Sequence, residues 1–169
     1  MGVARRLAFE VDLVRGKIRH QTDFRHRRQY NPNVNRLAAE RIRAAYLDAL
    51  EASGLEVNGR GELFGPHEPV CLTVETFRVL PKSRPRSMLF EPDTFKPDSD
   101  NVDKLVRDAL NRLAWHDDAQ ITTCHLYKRP RSRYAVGDRT FVTISDDWDG
   151  GTHADLEEKG RNRGMRSNG

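Results

Sequence analysis

The stretch from residue 96 to 121, KPDSDNVDKLVRDALNRLAWHDDAQI, constrains this chain more than any other. Val102, Leu105, Val106, Ala109, Leu110 and Leu113 recur at i, i+3, i+4, i+7, i+8 and i+11, the spacing that collects apolar side chains on one face of an α-helix. A helix with such a stripe has to bury it against another layer. Aspartates crowd both ends of the stripe: Asp98 and Asp100 before it, Asp117 and Asp118 after it. Like charges this close disfavour one another's ionised form, so the acids call for an explanation beyond helix capping.

The flanking segments supply the other layer. Leu7, Phe9, Val11 and Leu13 alternate with polar or small residues and predict a strand. Arg15 to Tyr30 is basic and aperiodic, which predicts a loop. Asn31-Pro32-Asn33 offers helix-start chemistry. Val34, Ala38, Ile42, Ala45 and Ala49, with Leu37 beside them, predict a helix from Asn33 to Ser53 stopped by Gly54. Residues 54–69, rich in glycine and proline, predict a loop. A second strand is expected from Val70 to Val79, broken by Pro81-Lys82-Ser83-Arg84-Pro85-Arg86, since proline cannot donate to a central ladder. For the acidic helix the natural N-cap is Asp100 or Asn101. Ile121 to Lys128 and Thr140 to Ser145 complete the strands. The expected fold is α+β: one compact domain over residues 1–148, a mixed sheet of about four strands with two main helices in the order β-α-β-α-β-β. A polar, disordered tail is expected over 149–169.

Charge narrows the partners. The net charge is only +4, from 29 basic and 25 acidic residues. The basic residues run in clusters, Arg25, Arg27 and Arg28; Lys82, Arg84 and Arg86; Lys128, Arg129, Arg131 and Arg133. Each alone reads as a solvated loop. Three of them around an acidic focus point to a polyanion held by its phosphates. No apolar run approaches the ~20 residues that span a bilayer, and no signal-peptide pattern follows Arg5 and Arg6. No membrane partner is expected, and the expected location is the cytoplasm. Cys71 and Cys124 lie in strand-like stretches and read as reduced, buried small hydrophobes.

In an extended segment Asp98 and Asp100 would point the same way, with Ser99 turned aside. A divalent cation relieves their repulsion, and Mg²⁺ suits carboxylate oxygens in an open site. Lys104, one turn beyond Asp100, could reach over the helix start and stabilise charge on a phosphate; Asp108 could pair with Lys104 and orient it. Asn101 to Ala114, if fully helical, would span ~20 Å, so the motif alone does not join Asp118 to Asp98 and Asp100. The plain readings are an N-cap, a surface ion pair and a turn. His116 and His125 receive no role. Ser83 and Ser99 have no histidine at triad spacing.

The string D-x-D-N, a lysine, D-A-L and then D-D-x-Q-I resembles the RusA family of Holliday-junction resolvases, which includes many members encoded by phages and prophages. Here those elements are Asp98, Asp100 and Asn101; Lys104; Asp108-Ala109-Leu110; and Asp117-Asp118-Ala119-Gln120-Ile121. Pro81-Lys82-Ser83 and the basic loop ending in Tyr30 also look like the family. The likeness covers roughly residues 5 to 146. It implies a Mg²⁺-dependent endodeoxyribonuclease, with Mn²⁺ able to substitute, acting as a homodimer on branched DNA and nicking four-way junctions symmetrically in recombination and repair, without a small-molecule cofactor. Asp98, Asp100 and Asp118 would be the catalytic and metal-binding carboxylates and Lys104 the essential lysine. The role of Asp117 stays open. The sequence departs from the family at Ser99, a usually apolar position, in the long 54–69 loop and in the tail.

Two other classes fit less well. A branched-DNA-binding module without cleavage would gain nothing from carboxylates that repel phosphates. A D-x-D transferase would need a nucleotide-sugar site, and the chain has no glycine-rich phosphate loop.

Overall fold

A computed structural model describes residues 4–18, 21–23, 25, 28–30 and 33–147. Arg27 and the expected tail over 149–169 lie outside the described residues. The strands are β1 (Arg6–Val11), β2 (Gln21–Asp23) and β3 (Arg28–Tyr30), followed by helix α1 (Asn33–Ser53). Then come β4 (Val70–Phe77), β5 (Phe90–Glu91), helix α2 (Ser99–Leu110), a 3-10 turn (Asp118–Gln120), β6 (Ile121–Lys128), β7 (Arg131–Ser132) and β8 (Arg139–Ser145). The fold is α+β, and its main sheet has four strands in the order β1-β8-β4-β6. β8 runs antiparallel to both β1 and β4, while β4 and β6 are parallel, so the sheet is mixed.

The long elements follow the expected order. Two small additions do not. β2 and β3 pair within the stretch expected as a loop, and β5 pairs with β7 in the stretch after β6. Strands of two or three residues are too short to carry a period-two signal.

Register explains the layers. Phe9 lies opposite Val142, Val142 opposite Val74, and Ile144 opposite both Leu7 and Leu72. All are buried. This face is covered by both helices: α1 reaches it through Tyr46, whose ring meets Phe9 edge-on at 6.0 Å, and α2 through Val102, Leu105, Val106, Ala109 and Leu110. The opposite face, with Thr73, Glu75, Thr143, His125 and Tyr127, is only partly covered. The cysteines are not buried as expected: Cys71 is partly covered, and Cys124, on the terminal strand β6, is exposed.

α1 has the expected limits, and Gly54 follows it at φ +67, a left-handed conformation that glycine adopts without a Cβ penalty. Its buried face differs from the expected one. Asn35, Ala38, Ala39, Ile42 and Tyr46 face inward, whereas Val34 and Leu37 are exposed. Asn35 can be buried because its amide closes a two-way bond with Ile18: the Ile18 N–H donates to Oδ1 at 3.0 Å, and Nδ2 donates to the Ile18 carbonyl at 2.8 Å. The 54–69 loop is also more than a connection. Leu63 and Phe64 are fully buried in the core, and the Phe64 N–H donates to the Ala114 carbonyl at 2.9 Å, seating the loop on the chain leaving α2. Among the described residues no helix is long and apolar enough to cross a membrane.

Candidate functional site

Asp98 is the N-cap of α2, in place of the expected Asp100 or Asn101. Ser99 and Asp100 are already helical, so the extended alternation expected for the D-x-D pair does not apply; both carboxylates instead sit on the first turn of the helix. Asp98 makes no side-chain capping bond and is paired with Lys96. Asp100 faces Lys104 at 3.5 Å. Both aspartates are exposed. The helix N-terminus carries partial positive charge, which, with the two lysines, tempers the repulsion between them. Asp108 does not orient Lys104 as expected. It is held by Lys17, whose N–H also donates to the Asn101 carbonyl at 2.8 Å. Lys104 is therefore turned back to Asp100.

Asp118 is fixed differently. Its Oδ1 accepts from the indole Nε1 of the fully buried Trp115 at 2.8 Å. Asp117 caps the 3-10 turn: its side chain accepts from the Ala119 N–H at 2.8 Å, and its own N–H donates to Gln120 Oε1 at 2.8 Å. Gln120 Nε2 reaches the carbonyls of Gly65 at 2.6 Å and Glu68 at 2.9 Å. Next to this turn His116 Nδ1 lies 3.0 Å from the buried Glu62. The Glu62 carboxyl is held below the usual range, first by the Asn58 amide and then by His116, against the opposing effect of burial.

The two acidic groups stand at opposite ends of one strand. Near the start of α2, Lys128 at the C-terminal end of β6 donates to the carbonyls of Phe95 and, at 3.1 Å, Pro97. Further along, Cys124 Sγ lies 3.3 Å from Asp103. α2 thus runs antiparallel to β6. Asp118 immediately precedes β6, whose eight residues span on the order of 20 Å. Among the described residues no three His, Cys, Asp or Glu side chains are gathered closely enough to hold a metal ion. Within one chain, Asp98 and Asp100 share the first turn of α2, and Asp118 is not gathered with them.

The basic candidates divide. Arg131 is buried, bound to Glu91 and lying 3.9 Å from the Phe95 ring centroid. Arg84 holds the same Glu91 at 2.8 Å. Arg133 donates to the carbonyls of Met88 and Pro85 at 2.9 and 2.8 Å. Arg129 pairs with Glu75, and Lys128 is committed to the segment before α2. Arg84, Arg131 and Arg133 act first as braces of the β5–β7 arm, Lys128 ties the end of β6 to the segment before α2, and Arg129 ties it to β4. Lys82, Arg86 and Arg25 are exposed. Arg28 lies on β3.

The model of a protein family, endodeoxyribonuclease RusA, matches residues 15–145, a span that holds both acidic turns and the helix between them. The chain belongs to the RusA family. A relative from Bacillus subtilis (strain 168), "Uncharacterized protein YqaN", is 39% identical over 69 residues. That alignment takes in 36% of this chain and 48% of the relative, so it spans about half the length of that protein. In this RusA-family chain the sequence motif located the acids but missed their supports. Trp115 reads from sequence as an isolated aromatic, and Glu62 as one charge in a polar loop. Lys17 lies in the basic stretch from Arg15 and Lys96 beside the acids, but neither falls in the three clusters singled out above. No local pattern marks any of the four.

Proposed function

We propose that the protein is a Mg²⁺-dependent, structure-selective endodeoxyribonuclease that resolves four-way DNA junctions by paired nicks in recombination and repair, acting in the cytoplasm as a homodimer. The observation that carries this reading is the placement of Asp98 and Asp100 on the first turn of α2 with Lys104 turned to Asp100, in a chain of the RusA family.

The donor set fits a hard cation. Asp98 and Asp100 offer exposed carboxylate oxygens, and Asp118 keeps Oδ2 clear of hydrogen bonds among the described residues while Trp115 takes Oδ1. Oxygen ligands with room for water suit Mg²⁺, and Mn²⁺ can serve in its place. Bound there, the ion would supply an activated water and charge stabilisation for phosphodiester hydrolysis. Lys104 would stabilise charge on the phosphate or the leaving oxygen. Exposed Lys82, Arg86 and Arg25 would hold the backbone of the arms. Since Asp118 stands a strand length from the other two acids, the ligand set is complete only when shared: Asp98 and Asp100 from one protomer, Asp118 from its partner. Two such sites related by a two-fold axis match the approximate two-fold symmetry of a junction.

The test is incubation with a labelled four-way junction, a linear duplex and a flap, with and without Mg²⁺. Paired nicks on opposing strands of the junction, abolished by chelation, are expected. The Asp100→Asn variant should bind the junction and leave it intact. Tight binding with no nicking by the unchanged protein would favour a non-catalytic binding module.

A further inference from the structure

We infer that Arg60 and Arg112 form a phosphate-binding pair beside the turn that carries Asp118, and that the ligand is a backbone phosphate of bound DNA. This rests on the nucleic-acid reading above and gives the long 54–69 loop a part in it.

The two arginines come from separate segments and belong to none of the three basic clusters. The fold brings both to one imidazole. Arg60 Nη1 lies 3.4 Å from His116 Nδ1. Arg112 Nη1 lies 3.4 Å from the same nitrogen and 3.0 Å from Nε2. The two guanidinium groups are therefore neighbours, and both residues are exposed. Little offsets their repulsion. The carboxylate at this place, Glu62, is buried, and both of its oxygens are taken. Oε1 faces His116 Nδ1 at 3.0 Å, and Oε2 accepts from Asn58 Nδ2 at 3.1 Å. Its ion-pair partner is His116, and among the described residues neither Arg60 nor Arg112 has a carboxylate within ion-pair distance. Arg84, Arg129 and Arg131, by contrast, each hold a glutamate. A phosphate supplies what this pair lacks: negative charge, and acceptor oxygens that match two guanidinium forks.

Both side chains are set by ordered backbone. Asn58 closes a turn around Arg60: its Oδ1 accepts from the Arg60 N–H at 2.8 Å and the Glu62 N–H at 3.0 Å. The Asn58 N–H donates to the Glu62 carbonyl at 2.9 Å. Arg112 follows α2 at φ +64, where a Cβ is unfavourable and glycine is the usual occupant. Its N–H donates to the Trp115 carbonyl at 2.9 Å, and the Trp115 indole holds Asp118. Strained backbone beneath an exposed side chain points to a use for that side chain. Arg112, His116 and Asp118 leave one short segment, so a strand gripped by the pair passes beside Asp118.

The test is titration of a labelled four-way junction without divalent cation, at three salt concentrations, alongside thermal melts. Arg60→Gln and Arg112→Gly combined should weaken binding roughly tenfold and flatten the slope of log affinity against log salt by ~1. Arg36→Gln removes the same charge from the exposed face of α1 and should leave the slope unchanged. Arg112→Gly alone should weaken binding yet melt no lower than the unchanged protein, because it relieves the backbone; an arginine needed only for packing would show the reverse. An Arg112→Gly protein that melts lower and keeps the full salt slope overturns the inference. So does equal flattening by Arg36→Gln, which would make the effect one of net charge. An unchanged slope in the double variant, with paired nicking intact in Mg²⁺, removes the phosphate site and leaves the nuclease reading standing. A flattened slope in the double variant, with no nicking by the unchanged protein, faults the nuclease reading alone.

Discussion

The indole Nε1 of Trp115 donates to Oδ1 of Asp118 at 2.8 Å, so a fully buried core residue aims one carboxylate of the proposed metal set. Trp115→Phe keeps an aromatic ring in the core but removes the donor and leaves a small void. It should cost about 1–3 kcal/mol in urea denaturation and lower Mg²⁺-dependent nicking by roughly 10–100-fold, as the loss of a ligand-orienting contact does. Unchanged nicking would separate Asp118 from the chemistry.

A shared site has a genetic signature. Asp100→Asn and Asp118→Asn proteins should each be inactive alone. After mixing and subunit exchange, the heterodimer holds one site with both substitutions and one with neither. Nicking of a single strand should return, measurable as uncoupled nicks in a supercoiled cruciform plasmid. If each chain built its own site, mixing would restore nothing.

Exposed and buried basic residues should behave in opposite ways. Lys82→Ala and Arg86→Ala should leave the melting temperature unchanged, weaken junction binding, and flatten the slope of log affinity against log salt by ~1 per lost phosphate contact. Arg131→Ala removes the buried brace on Glu91 and Phe95 and should lower the melting temperature by several degrees. The comparison needs only thermal melts and binding titrations at three salt concentrations.

Two buried groups give stability predictions. The Tyr46 hydroxyl is buried, finds no hydrogen-bond partner among the described residues, and has its pKa pushed up to about 12 by burial. Tyr46→Phe should therefore be neutral or stabilising by up to about 1 kcal/mol. Glu62 has a folded pKa below its ordinary value of 4.5. Its carboxylate thus contributes stability above that value and loses it as pH falls through the depressed folded pKa. Glu62→Gln should melt lower than the unchanged protein at neutral pH, with the gap narrowing as pH falls below 4.5 and through the depressed folded value.

The legible parts of this chain were those with one strong period. The stripe of α2 could be read because Val102, Leu105, Val106, Ala109 and Leu110 all reach the core they implied. α1 had clear ends but an unclear face, since aliphatic residues lie on both sides and the choice between Val34 and Asn35 depends on a bond to Ile18 far along the chain. Leu63 and Phe64 are adjacent apolar residues among glycines and carry no period. The acids were legible as residues but not as a spatial group, because the return of β6 against α2 is a tertiary fact. The roles of Arg84, Arg129 and Arg131 depend on Glu75 and Glu91, whose proximity no run of arginines reveals.

Gln120 spans the gap between the long loop before β4 and the turn that carries Asp118, gripping Gly65 and Glu68 with its nitrogen and Asp117 with its oxygen. Lengthening or stiffening that loop would tug on a single carboxylate and leave the pair on α2 undisturbed. One of the three proposed ligands thus hangs from a lever outside the set, by which cation grip could be retuned without altering one acidic residue.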